Sequence, residues 1–113
     1  MELADSDLVE TYRQAALKTA DISHPKAQNA AADLVHQCYK KLRGTESGRA
    51  AISALMRDRS PHVRGWAAAH SLFWVKEEAR AVLEILRDGH GPGSFSAEWT
   101  LREFDEGKLS FDY

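Results

Sequence analysis

The chain has one cysteine and three prolines in 113 residues, few β-branched side chains and no long apolar run, and each scarcity removes a class of protein. A lone Cys38 excludes an internal disulfide; in so short a chain it argues against a secreted, stapled scaffold and for a reducing compartment. No stretch approaches the length needed to span a bilayer. The acidic start, Met1-Glu2-Leu3-Ala4-Asp5, lacks the basic and apolar segments of a signal peptide, so a cytoplasmic protein without membrane contact is expected. No segment of useful length alternates polar with apolar residues, so no strand is expected. A formal charge of -2 lacks the strong basic excess of nucleic-acid binders.

Hydrophobic residues make up 43% of the chain, enough for one core and a single domain over residues 1–113. Apolar side chains recur at helical spacing in six places. Leu8, Tyr12, Ala15, Thr19 and Ile22 share a face of a first helix over about residues 6–21, with Ser6 or Asp5 as its cap. Ser23-His24-Pro25 opens a second, whose face is Ala27, Ala31, Leu34, Val35, Cys38 and Leu42. Gly44 to Gly48 reads as a hinge before a short third run through Ala51, Ile52, Leu55 and Met56. Ser60, able to accept from first-turn amides, and Pro61, which loses nothing at the first helical position, begin a fourth through Val63, Ala67, His70 or Ser71, and Trp74. Val75, Ala79, Val82, Leu83 and Leu86 line a fifth. Ser94 or Ser96 caps a sixth, with Ala97, Leu101 and Phe104 inward, Phe95 and Trp99 on a flank, and Gly107 closing it.

The class is therefore all-α. Pro25, Pro61 and Pro92 are 36 and 31 residues apart, each near the start of the second helix of a pair. That spacing describes a short α-solenoid of three antiparallel helix pairs sharing one core. Asp58, Pro61, Val63, Arg64, Ala67 and Ala68, in the order D-x-x-P-x-V-R-x-x-A-A, resemble the second helix of a HEAT or armadillo-like repeat. The resemblance implies that Pro61 starts the helix, that Val63 and Ala67 fill the core, and that Arg64 pairs with Asp58. Leu72 falls one residue later than the usual repeat leucine, and both spacings are shorter than the roughly 40 residues typical of such repeats. Val63 to His70 and Phe95 to Phe104 are also similar to a small bacterial family called domain of unknown function twenty-nineteen. That likeness implies a bacterial cytosolic setting and transfers no catalytic residues. Compact helical repeats of this kind often serve as immunity proteins beside polymorphic toxins, an analogy of fold.

No constellation of residues points to catalysis. His70 lies one turn from Trp66 and from Trp74, but no nucleophile or carboxylate stands at helical spacing to it, so it reads as a core histidine bonded to a neighbouring helix. Gly89-His90-Gly91-Pro92-Gly93-Ser94 follows a helix and lacks the lysine of a phosphate-binding loop. His24, His36, Cys38, His62 and His90 have no ligand-pair spacing, so neither metal nor cofactor is expected.

Charge is unevenly distributed: residues 1–37 carry -3, 38–72 carry +5 and 73–113 carry -4. The expected function is a non-enzymatic protein-binding module, on the immunity analogy one that occludes a toxin's basic active site. Glu77, Glu84, Glu98, Glu103, Asp105 and Glu106 would supply charge and Trp99 and Tyr113 the aromatic anchors. The alternative is a nucleic-acid-binding repeat protein using the basic belt around residues 40–64, Lys40, Lys41, Arg43, Arg49, Arg57, Arg59 and Arg64.

Overall fold

In a computed structural model, residues 5–113 are described; Met1–Ala4, part of the acidic start, lie outside the described residues. Six α-helices follow one another: α1 (Asp5–Lys18), α2 (Pro25–Leu42), α3 (Glu46–Ala54), α4 (Pro61–Ser71), α5 (Lys76–Asp88) and α6 (Ser94–Asp105). A single 3-10 turn, Leu55–Arg57, leads out of α3, and there is no strand among the described residues.

The core gathers on α4, which touches α1, α3, α5 and α6. Val63, Ala67 and Ala68 are fully enclosed, and their small side chains let the flanking helices approach closely. α4 begins as its residues dictate: Pro61 is the first helical residue and the Ser60 hydroxyl accepts from the Val63 amide. Leu72, one place later than the repeat pattern, is nonetheless buried. α1 packs on α2 and α5 on α6, each across inward faces that match the spacing of Leu8, Tyr12 and Ala15, of Val35, Cys38 and Leu42, and of Ala79, Leu83 and Leu86.

The helix ends differ from the sequence expectation in several places. α1 stops at Lys18, so Ile22 leaves the inward face and stands 80% exposed. α1 also starts at Asp5, which puts Ser6 inside the helix. Ala27 and Leu34 are exposed on α2, because α2 covers α1 with only part of its circumference. Ser23 does not cap α2; it bonds Asp21, and His24 precedes Pro25 without a capping bond. Gly93, at φ 86, precedes α6 in place of a serine cap, and Pro92 lies in the turn before it. α4 ends at Ser71, before Trp74.

The segment 44–48, expected as a hinge, divides: Gly44 and Thr45 form the connecting turn, and residues 46–48 are the first turn of α3. Thr45 Oγ1 accepts from the Gly48 amide at 3.0 Å, the capping geometry that starts a helix. Gly48 is there because α2 ends against it: an added Cβ would fall 2.0 Å from the Leu42 carbonyl oxygen.

Candidate functional site

Two features of this frame carry side chains that the core does not consume: a buried polar–aromatic cluster under α4, and an open groove beside it.

His70 projects from α4 into the protein with no exposed surface. The Tyr12 hydroxyl of α1 lies 2.7 Å from its Nδ1, and Tyr39 of α2 stacks on its ring with centroids 3.9 Å apart. Burial pushes the imidazole pKa down to about 3, helped by the charges of His36 and Arg43, and burial likewise raises the Tyr12 phenol. Both groups are therefore neutral near pH 7. His70 is thus the core histidine its neighbours in the sequence suggested, with its helix partner identified. Its Nε2 is buried without a hydrogen-bond partner.

The proposed Asp58–Arg64 pair is not formed. Asp58 Oδ1 instead accepts from Arg13 Nε of α1 at 2.7 Å, and Oδ2 accepts from the Ser60 amide. Arg64 donates to the main-chain oxygens of Asp58 and Arg59. Burial raises the Asp58 carboxyl, but the bonds from Arg13 and Ser60 outweigh it and leave it below the usual carboxylate range. A carboxylate capping its own turn is well placed to accept a cation from α1, a choice the repeat pattern cannot reveal.

The groove, about 760 Å³, lies between the α1–α2 turn, the start of α4, α6 and the segment that follows α6. Trp66, Leu109 and Phe111 line it, and Ile22, Phe95 and Trp99 stand on it, Phe95 80% and Trp99 50% exposed. Trp66 is pinned by its indole N–H, which donates to Thr19 Oγ1 at 3.0 Å. Gln28, Asn29 and His62 supply polar edges. The structure thus brings Trp99 and Tyr113 to one groove. Ile22, meant for the core, and Phe111 were not foreseen there; the only signal was an aromatic-rich stretch after Gly107.

The acidic residues are not brought together as one free cluster. Asp105 takes both terminal nitrogens of Arg80 at 2.7 and 2.9 Å, Glu98 pairs with Arg102 and Glu106 with Lys108. Glu77, Glu84 and Glu103 make no ion pair among the described residues. Much of the basic belt also serves the chain itself. Arg43 bonds Tyr39, Asp112 and the Phe111 carbonyl, Arg49 bonds the Arg43 carbonyl, and Arg57 lies 3.8 Å from Glu78.

Among the described residues no group of three His, Cys, Asp or Glu could hold a metal ion, and no helix is long and apolar enough to cross a membrane. Cys38 is buried and its thiol pKa is raised by burial, the state of an unreactive core cysteine. Compared with models of known families, with curated proteins and with solved structures, the chain matches none.

Proposed function

We propose that this chain is a non-enzymatic protein-binding module, a short HEAT-like solenoid of three antiparallel helix pairs, that docks a partner in the aromatic groove beside α4. The observation that carries the reading is the groove itself: Ile22, Phe95 and Trp99 expose large apolar surface around a hollow of about 760 Å³. Tryptophan and other aromatic side chains at such a spot are what interface energies concentrate on. The partner is a protein offering apolar side chains within a cationic surround, because Glu77, Glu84 and Glu103 on α5 and α6 are without ion pairs among the described residues and residues 73–113 carry -4. A bacterial toxin whose basic active site is occluded by the aromatic groove together with the carboxylates of α5 and α6 fits that description, in a cytoplasmic setting. The non-catalytic part of the reading is supported by the enclosure of His70, whose Nδ1 is committed to Tyr12.

Calorimetry with the product of the adjacent reading frame tests the proposal. Micromolar or tighter binding that Trp99→Ala or Phe95→Ala weakens at least tenfold is expected; no heat at micromolar concentrations would end it. Nucleic-acid binding by the belt at residues 40–64 has less support, since Arg43, Arg49, Arg57 and Arg64 engage groups of the chain itself.

A further inference from the structure

Beyond Gly107, whose φ of +72° turns the chain off α6, residues 108–113 take no regular secondary structure yet return to α2 and α4. The Phe111 ring stands edge-on to His70, with centroids 4.6 Å apart, and near Tyr39 and Phe73. The Tyr113 ring stacks on His36 at 4.2 Å. Polar ties come from one side only. His36 Nε2 and Lys40 donate to the Tyr113 main-chain oxygen at 2.7 and 3.2 Å, and Arg43 donates to the Phe111 carbonyl and to Asp112.

The seat fits this segment imperfectly. Hollows of about 260 and 760 Å³ flank it, and Phe111 lines both. Two polar atoms at the seam, His70 Nε2 and His36 Nδ1, are buried without partners, and the Asp112 side chain is 81% exposed. A segment flanked by open hollows, with polar atoms unsatisfied beneath it, forgoes contacts and hydrogen bonds that a better-fitting segment would make.

We propose that residues 109–113 are a resident occupant of a peptide-docking face on α2 and α4, and that this face receives from another protein an acidic peptide segment in which aromatic side chains flank a carboxylate. The assignment rests on complementarity: His36, Lys40 and Arg43 present donors and positive charge, Tyr39, His70 and Phe73 present rings, and Phe111-Asp112-Tyr113 shows which chemistry satisfies both. This face is separate from the acidic edge of α5 and α6 and selects a partner of opposite charge. Because the resident segment is tethered, it competes at an effective concentration of about millimolar, so an external peptide binds strongly only when that segment lifts.

The probe is a fluorescein-labelled peptide with the sequence of residues 107–113, titrated into the full chain and followed by anisotropy. Phe111→Ala/Tyr113→Ala, checked for helicity by circular dichroism, is expected to bind it at least tenfold more tightly than the unaltered chain. Should that variant not fold, Asp112→Lys at its exposed position loosens the segment without touching the core and is expected to give the same gain. Adding Lys40→Glu, also exposed, removes the gain, and a peptide with lysine in place of its aspartate does not bind. Equal affinity for the unaltered and loosened chains, or indifference to Lys40→Glu, overturns the proposal. So do dimers in sedimentation that depend on Phe111 and that the peptide does not compete, which would assign the face to exchange between copies. Because Phe111 and Tyr113 also line the groove, the groove is tested separately by Trp99→Ala with the protein partner in a chain whose residues 109–113 are unaltered.

Discussion

The Tyr12 hydroxyl and His70 Nδ1 meet at 2.7 Å across 58 residues of sequence, both side chains closed to water. One bond joins α1 to α4, and with Tyr39 stacked on the same imidazole it ties three helices at one point. Its strength lies mainly in the cost of breaking it on one side. Tyr12→Phe leaves a buried ring nitrogen without its partner and is expected to cost about 1–3 kcal/mol in urea unfolding. Replacing both residues, as Tyr12→Phe/His70→Leu, should cost less than the sum of the single changes, since no orphaned polar group is left from the pair. Strict additivity would deny the coupling.

The same histidine imposes a pH dependence. Its pKa is 6.5 in an ordinary setting and about 3 in the fold, so above pH 6.5 both folded and unfolded chains hold it neutral. Between those values the unfolded chain takes a proton that the folded chain refuses, and stability falls on acidification by up to about 1.4 kcal/mol per pH unit. Burial disfavours the imidazolium, and the charges of His36 on α2 and of Arg43 just past its end oppose it further, so nothing nearby rescues it. Unfolding midpoints measured from pH 7.5 to 4.5 should drop more steeply for the unaltered chain than for Tyr12→Phe/His70→Leu.

Asp58 holds α1 against the turn before α4. Its carboxylate accepts from Arg13 and from the Ser60 amide together, so Asp58→Ala removes a cross-helix tie and a turn bond at once, a loss of about 1–3 kcal/mol. Its lowered pKa adds stability that is present above the ordinary value of 3.8 and lost as pH falls through the folded value. Thermal melts at pH 7 and pH 3 should therefore differ less for Asp58→Ala than for the parent, once corrected for His70.

Gly48 admits no side chain. The methyl of Gly48→Ala would sit 2.0 Å from the Leu42 carbonyl oxygen and within 3 Å of two more backbone atoms of Leu42, none of which can swing aside as a side chain would. A destabilisation of about 3 kcal/mol or outright failure to fold is expected, whereas Gly44→Ala, whose nearest contact would be 3.5 Å, should be tolerated. Expression and urea midpoints of the two variants decide it.

Periodicity made six helices legible, along with the first residues of α2 and α4, because a proline at the first helical position and an apolar side chain every three or four residues are local properties of the chain. The burial of Val63, Ala67 and Cys38 was readable for the same reason. What could not be read is everything that depends on which helix faces which. Asp58 met Arg13 instead of Arg64, because α1 brings a guanidinium to it from 45 residues away. His70 found Tyr12, Ile22 was left outside by a helix ending one turn early, and an irregular aromatic stretch after Gly107 crossed back to α2. The sequence by itself determined the elements and their greasy sides; the tertiary structure alone decided the partners of the polar groups and the shape of the hollows. Side-chain periodicity is set within a turn of helix, whereas a groove or a buried bond exists only once distant turns are fixed against each other.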